Sequence, residues 1–497
     1  MKILSAAQMR EADAYTIQNE PISSIDLMER AAAACAARIA ELTDPHSHYT
    51  IICGKGNNGG DGLAIARLLN TMKRKTQVFI VEHNTNASSD HTLNFERLKK
   101  QGLSPIHSIT ETSQLQIQVG SVLIDALLGT GVNKPVEGIL ADVIDKMNAS
   151  GLPVISIDMP SGLPCDEKPS HKHIVRAGTT LTFQRPKFSF FFDDASAYTG
   201  NVEVLDIGLD EDFIESQNSN YVVLRSEDIA PLIRPRKKFT HKGLCGHALL
   251  LAGSRGKTGA AVLAARGCLR SGAGLLTVHL PSSSLEIMQT ALPEAMVSCD
   301  DNATIISSLP KNKSFDAIGI GPGIGTEKET AQAIKQLIQN ASVPMVMDAD
   351  ALNILAENKT WISFLPPFTI LTPHPKEFDR LCGAHTSDIE RLKTCIDFAH
   401  KHQSIVVLKG AYTAIVWPDK KVFFNSTGNP ALSKGGSGDV LTGMILALLS
   451  QGYNAEQAAL IAVFVHGRAA DMYVRRNSEM SMLASDLAEM LPQAFQF

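Results

Sequence analysis

The sequence predicts two α/β domains in one chain, each a three-layer α/β/α sandwich around a mainly parallel sheet. Three observations predict this. The chain has 497 residues, too many for one ordinary core, so two domains of about 200–270 residues are the natural division. Short apolar runs alternate with helical stretches, the signature of strands joined by covering helices. Several of those runs end in clusters of Gly, Asp, Asn and Ser, where open parallel sheets place their ligands.

Taken in order, residues 5–18 and 24–42 read as two opening helices, the second rich in alanine. Tyr49–Cys53 is a strand, 61–74 a helix and Gln77–Val81 a strand. Leu93–Gln101 is helical, Val122–Asp125 a strand, 137–148 a helix and Pro153–Asp158 a strand. Thr179–Phe183 and Asn201–Asp206 are candidate edge strands. The pattern breaks into polar residues and prolines around 211–240, which sets the expected domains at 1–220 and 221–497. A second series follows, with strands at Gly246–Ala252, Leu275–His279, Ala317–Ile320, Pro344–Met347, Thr369–Thr372, Ser404–Lys409 and Ala414–Val416. Its helices are 258–271, 328–339, 387–402 and two more after residue 439. No short period recurs, which excludes a solenoid.

Composition narrows the function classes. Hydrophobic residues make up 44% and charged residues 20%, the balance of a folded globular chain. The net charge of −5 offers no nucleic-acid surface. The basic run Arg234-Pro-Arg236-Lys237-Lys238 reads as a solvated linker. The eight cysteines are too widely spaced for a zinc knuckle or a CxxC pair, so they are expected as reduced, buried thiols in a cytoplasmic protein. The start, Met1 to Asp13, meets charge too early for a signal peptide, and the apolar stretches 440–449 and 459–465 are too short to span a bilayer. Neither nucleic acid nor membrane is expected as a partner; a homo-oligomer is.

The most informative stretch is Lys434-Gly-Gly-Ser-Gly438-Asp439. Its glycines leave amides uncovered ahead of a helix, and exposed N–H groups at a helix N-terminus attract anions. A carboxylate there repels phosphate, so Asp439 is better placed to take a proton from a hydroxyl that attacks one. A glycine-rich turn that only caps the helix is the alternative.

Gly54-Lys-Gly-Asn57-Asn58-Gly59-Gly60-Asp61-Gly62 also follows a strand and opens a helix. It contains GxGxxG, and Glu82 at the end of the next strand stands where a dinucleotide fold keeps its ribose-binding acid, so a dehydrogenase is one reading. The crowded carboxamides and carboxylate suit a monovalent cation, a sugar hydroxyl or a phosphate-bearing ligand better; a plain Asn/Gly turn is the structural alternative. Asp125 precedes Gly129, Thr130, Gly131 and Asn133, which can wrap a phosphate, and Asp158 precedes Ser161 at a third strand end. Oxygens from Asn58, Asp125 and the Ser161 region can together hold K⁺.

In the second half, Gly253 to Ala261 lacks the spacing of a P-loop. Gly319-Ile-Gly-Pro-Gly323-Ile-Gly, Asp348-Ala-Asp-Ala-Leu-Asn353, Thr372-Pro-His374-Pro-Lys376-Glu-Phe378 and Lys409-Gly410-Ala411-Tyr412-Thr413 each end a strand. His374 is fixed between two prolines, and the Lys409 segment suits nucleotide phosphate.

These motifs carry two resemblances. From Leu27-Met-Glu-Arg-Ala31 through NNGGDG, DALLGTG, DMPSG and Thr182-Phe-Gln-Arg-Pro-Lys187, the first half resembles the YjeF N-terminal domain, an epimerase of NAD(P)H hydrates with a Rossmann-like fold. The resemblance implies that Asn57, Asn58, Gly59, Gly60 and Asp61 bind the hydrate. It implies that Gly129, Thr130, Gly131, Val132, Asn133, Lys134 and Pro135 hold its phosphate, that Asn58, Asp125 and Ser161 bind K⁺, and that Asp158 is the acid/base. The chain departs from the family at Ala31-Ala-Ala-Ala and in the Lys- and His-rich stretch 164–176. In the order GPGIG, DADALN, TPHPKEF, KGAYT and GGSGD, residues from about 240 to 490 resemble the YjeF C-terminal domain of the ribokinase-like superfamily, an ADP- or ATP-dependent NAD(P)H-hydrate dehydratase. Here Ala260, Gly323, His374 and Asp439 would contact the hydrate, and Lys409, Gly410, Ala411, Tyr412, Thr413 and Gly438 the nucleotide, with Mg²⁺ screening it. Lys376 stands where the family often has Gly.

The reading that follows is a bifunctional repair enzyme acting on NADH or NADPH hydrated at nicotinamide C6. The first domain equilibrates the R and S hydrates; the second dehydrates the S form at the expense of ADP. The rivals are a hydroxymethyl or sugar kinase of the same second fold, a first domain that only binds, and a dehydrogenase.

Overall fold

The computed structural model describes residues 1–131, 134–169, 171–310 and 314–497. The chain divides into two compact units, Lys2–Ser219 and Asn220–Phe497, the latter joined by Met1.

The N-terminal unit has helices α1 (Ala6–Asn19), α2 (Ser24–Leu42), α3 (Asn57–Thr71), α4 (Ser89–Gln101), α5 (Ile139–Ala149), α6 (Asp193–Thr199) and α7 (Glu211–Ser216). Its strands are β1 (His48–Cys53), β2 (Lys75–Val81), β3 (Ile106–Ile109), β4 (Val122–Ala126), β5 (Val154–Ile157), β6 (Thr179–Phe183) and β7 (Asn201–Leu205). They pair in the order β3-β2-β1-β4-β5-β6-β7, all parallel. Such strands are apolar on both faces because helices cover both, and Ile51 and Ile52, which point to opposite faces, are fully buried. The order reverses between β1 and β4, where a doubly wound sheet opens a crevice at its carboxyl ends. Of the two expected edge strands, β7 is at the edge and β6 is interior, which corrects the expectation for Thr179–Phe183. Its alternating threonines are tolerated inside because Thr180 donates to the Thr199 carbonyl at 2.7 Å.

A second difference bears on the site. α3 begins at Asn57, four residues before its expected start, so the Asn-Gly run is its opening rather than a loop. A Cβ on Gly59 would stand 1.9 Å from the Gly54 carbonyl oxygen, so only glycine lets the helix start this close to the end of β1.

The C-terminal unit continues with β8 (Tyr221–Val223), α8 (Ser226–Ile229), β9 (His247–Leu251), α9 (Thr258–Arg270), β10 (Leu275–Pro281), α10 (Leu285–Ala291), β11 (Met296–Asp300) and β12 (Ala317–Ile320). Then come α11 (Lys328–Asn340), β13 (Met345–Met347), α12 (Asp350–Glu357), β14 (Ile370–Leu371), α13 (Pro375–Cys382), α14 (Asp388–His402) and β15 (Ile405–Leu408). β16 (Ala414–Val416), β17 (Val422–Phe424), α15 (Ser437–Ser450), α16 (Ala455–Val474) and α17 (Ala484–Ala494) complete it. The sheet order is β11-β10-β9-β12-β13-β14-β15-β16-β17-β8, with only the β15–β16 and β16–β17 pairings antiparallel. Its switch point lies between β9 and β12. α15 is buried almost throughout, Val440 to Ser450, and packs in the main core with α9 and α16.

Candidate active sites

In the N-terminal unit a cavity of about 800 Å³ opens at the switch point, lined among others by Asn58, Gly129, Asp158 and Asp13. Three strand ends converge there. Asp125, the fourth residue of β4, is fully buried. It accepts from Ser156 Oγ at 2.7 Å, Ser161 N at 2.8 Å and Ser161 Oγ at 2.5 Å. Burial pushes its carboxyl up, and those hydrogen bonds oppose the rise. Ser161 Oγ also receives the Leu128 amide at 2.9 Å, while Asn58 Nδ2 donates to the Leu128 carbonyl at 2.9 Å. The structure therefore brings Asn58, Asp125 and Ser161 together through Leu128. Asn58 Oδ1 is buried with no hydrogen-bond partner among the described residues, an orphaned acceptor among other oxygens. That fits a cation bound by oxygen ligands, the donor set K⁺ takes.

Asp158 follows β5 with φ +63°, a left-handed conformation that costs a non-glycine residue energy and marks functional positions. Its Oδ1 lies 2.9 Å from Lys187 Nζ, whose ammonium also donates to the Phe183 and Arg185 carbonyls at 3.1 and 3.2 Å. All three protons of a buried lysine are thus placed. Thr182 Oγ1 adds a 3.3 Å contact to the same carboxylate oxygen. Asn57 is exposed at the start of α3; Asn58, Gly59, Gly60 and Asp61 are buried behind it. Asp61 is pushed well above the usual carboxylate range by burial and by the charges of Asp158 and Asp13. Gly131, Lys134 and Pro135 are exposed and Gly129 and Thr130 half-buried; Val132 and Asn133 lie outside the described residues. Glu82 is ion-paired to Lys55 at 2.8 Å, which lowers its pKa.

In the C-terminal unit the loops after β9 and β12 interlock: Gly253 N donates to Pro322 O at 2.7 Å and Ser254 Oγ to Gly323 O at 2.8 Å. A Cβ on Gly323, at φ +66°, would lie 3.1 Å from the Ala260 methyl, so these two positions face each other. Asp439 sits in the first turn of α15, after Gly436 at φ +96° has turned the chain into the helix. It is half-buried. Burial, then the Asp348 carboxylate, push it up to about 7 against the pull of Lys409. Asp348 is 1% exposed and binds Lys409 Nζ at 2.9 Å and Thr442 Oγ1 at 2.8 Å. Lys409 is therefore held by a carboxylate. Burial pulls its pKa down, and Asp348 and Glu377 more than offset that. The segment Gly410 to Tyr412 is exposed, and Thr413 closes it by donating to Gly410 O at 3.1 Å. Gly438 stands over this pair: a Cβ there would lie 3.4 Å from Lys409 Nζ and 3.6 Å from Asp348 Oδ2.

His374 caps α13, its Nδ1 accepting from Lys376 N at 3.2 Å and Glu377 N at 3.4 Å. That leaves Nε2, 3.3 Å from Glu377 Oε1, as the face it can turn to a ligand. Sequence reasoning missed Asp13, Lys187, Glu377 and His466 as site groups. His466, buried in α16, holds the Ser437 carbonyl at 2.9 Å under the glycine loop. Lys187 and Glu377 lie within motifs that gave them no role of their own, and Asp13 and His466 lie in no motif.

An α/β unit with a cation-suited pocket at its switch point, followed by an α/β unit whose glycine loop presents a carboxyl at a helix start, defines a two-domain enzyme of phosphorylated ligands. Family models match both halves: residues 24–189 match the YjeF-related protein N-terminus, and residues 248–493 match NAD(P)H-hydrate dehydratase. The chain is 34% identical over 513 aligned positions to the bifunctional NAD(P)H-hydrate repair enzyme Nnr of Moorella thermoacetica, covering 99% of this chain and 96% of that one. The protein of the same name from Escherichia coli is 31% identical over 466 positions, covering 93% and 88%. The ADP/ATP-dependent NAD(P)H-hydrate dehydratase of Bacillus subtilis, co-crystallized with ATP/Mg²⁺, superposes with a TM-score of 0.49 at 34% identity, over 55% of this chain and 98% of that one. The chain belongs to the family of bifunctional NAD(P)H-hydrate repair enzymes. No helix among the described residues is long and apolar enough to cross a membrane.

Proposed function

We propose that the N-terminal unit interconverts the R and S hydrates of NADH and NADPH, and that the C-terminal unit converts the S hydrate and ADP into NAD(P)H, AMP and phosphate. The observation that carries the second activity is Asp439, a half-buried carboxyl in the first turn of α15 whose pKa of about 7 suits a general base at neutral pH. Asp439 takes the proton of the hydrate hydroxyl as that oxygen attacks the terminal phosphorus of ADP. The amides at the start of α15 meet the charge that develops on the transferring group. Loss of phosphate and of the neighbouring C5 proton then restores the ring double bond. Ala260, Gly323 and His374 shape the hydrate's site; Lys409 to Thr413 and Gly438 line the nucleotide's, with Mg²⁺ accompanying the nucleotide.

In the N-terminal unit Asp158 is the acid/base, held by Lys187. Asn57 to Asp61 and Gly129 to Pro135 receive the hydrate and its phosphates. Asn58, Asp125 and Ser161 would hold K⁺, which supplies a fixed positive charge beside the substrate. Eight unpaired cysteines favour a cytoplasmic setting.

Mixed hydrates with excess ADP test the whole reading. Recovery of dihydronicotinamide absorbance should show a fast phase from the S form and a slower one from the R form. Asp439→Asn should abolish both, and Asp158→Asn only the slower. A stable phosphorylated product with no absorbance recovery would establish a kinase instead.

A further inference from the structure

Helix α1 places Arg10 and Asp13 one turn apart on the wall of the N-terminal cavity that Asp158 enters from the end of β5. Asp13 is half-buried there, and its side chain makes no hydrogen bond among the described residues. Two other carboxyls of the site are committed. Asp158 is fixed by Lys187 at 2.9 Å, and Asp125 by two serines. Asp61, 8% exposed in α3, is pushed well above the usual carboxylate range by burial and by the charges of Asp158 and Asp13. Asp13 faces the cavity, is more open than Asp61, and lies close enough to Asp158 to feel its charge.

On the reading of this cavity as the epimerase site, we propose that Asp13 is a second catalytic residue there, the proton donor that works with Asp158. Inverting C6 requires the hydroxyl to leave one face and water to arrive at the other. Asp13 gives its proton to the C6 oxygen; the C6–O bond breaks with its electron pair on oxygen, and water leaves. The lone pair of ring nitrogen N1 becomes the second bond of C6=N1⁺. Water adds to the opposite face, a new C6–O bond forms, and the C=N pair returns to nitrogen. The proton lost by the incoming water passes to the Asp158 carboxylate. One water is released and one taken up, nothing is oxidised or reduced, and proton return from Asp158 to Asp13 resets the site. Burial and the charge of Asp158 push Asp13 up to about 6 against the pull of Lys187, which keeps a protonated fraction available near neutral pH.

The test uses the full-length protein, mixed hydrates and excess ADP. Asp13→Asn should leave the S phase unchanged, slow the R phase by about 100-fold or to the uncatalysed rate, and retain hydrate binding by calorimetry. Asp13→Glu should recover part of the R phase. An R phase within twofold of wild type in Asp13→Asn, while Asp158→Asn abolishes it, overturns the assignment of Asp13 alone. If both variants spare the R phase, the cavity is not the epimerase site and the underlying reading falls. Loss of the R phase together with hydrate binding and thermal stability makes Asp13 a structural residue, which also overturns the proposal.

Discussion

Replacing Asp348 by Asn should move the pH dependence of the dehydratase without touching its proposed base. The amide keeps an oxygen for Lys409 Nζ, now 2.9 Å from Asp348 Oδ1, and turns its NH2 to Thr442 Oγ1, now 2.8 Å from Oδ2; that hydroxyl can donate to the Gly438 carbonyl instead. What disappears is the charge that, after burial, does most to push Asp439 up to about 7. Two neighbouring unit charges at an effective dielectric of about 20 interact by a few kcal/mol, on the order of 2 pKa units. Asp439 is partly open to solvent, so screening leaves about 1 unit. Lys409, no longer neutralised, adds pull in the same direction. The ionised form of Asp439 is the working base, so activity falls as pH drops through its pKa, and the acid limb should sit near 7 in wild type and about 1 unit lower in Asp348→Asn. The assay is kcat against pH with pure S hydrate and saturating ADP, read as dihydronicotinamide absorbance, with Asp439→Asn as the control that removes the limb. An acid limb fixed near 7 in Asp348→Asn, with the rate lowered evenly at all pH, would refute the assignment of that limb to Asp439.

Three further outcomes follow from the geometry. Lys187→Met strands the Asp158 carboxylate, 14% exposed, without its partner, and should cost about 3 kcal/mol of stability, seen as an earlier unfolding transition, and slow use of the R hydrate. His466 is held neutral by burial with its pKa lowered to about 4, so the folded state resists a proton that the unfolded chain accepts near 6.5. Its contribution is present above pH 6.5 and is lost as pH falls from there to about 4, by about 3 kcal/mol in all; Tm against pH should flatten over that window in His466→Gln. Exchange of K⁺ for Na⁺ should slow the R phase and spare the S phase, and equal slowing of both would detach the cation from the Asn58 pocket.

Much of this architecture is written in local patterns. α2 is legible to its ends because Ser23 caps it and its alanines favour helix throughout. The short buried strands stand out as apolar runs bounded by glycine and proline. β8, β11 and β17 escape because strands of three to five residues with mixed burial carry no period, and β8 lies in the polar stretch read as the domain boundary. The early start of α3 escapes because Asn-Gly-Gly is a poor helix sequence; what permits it is the close packing of Gly59 on Gly54, a tertiary contact. Among site residues, those at strand ends are readable because the parallel sheet gathers strand ends by construction. Lys187 reaches Asp158 across 29 positions and Asp13 across far more, and no spacing rule encodes either pairing.

The two halves solve one electrostatic problem in opposite ways. Each places an acid at the end of a structural element near a lysine, fully buried in the first unit and half-buried in the second. In the N-terminal unit Lys187 faces its acid directly, with its remaining protons on backbone carbonyls, so its charge acts on Asp158. In the C-terminal unit Asp348 stands between: it takes the charge of Lys409, and Asp439 is left with an acidic neighbourhood and a pKa near 7. A base for a hydroxyl proton works best near ambient pH, so the extra carboxylate is what tunes Asp439. If so, Asp348→Asn and Lys409→Met must shift the dehydratase acid limb in opposite directions, because the first removes a negative neighbour and the second a positive one.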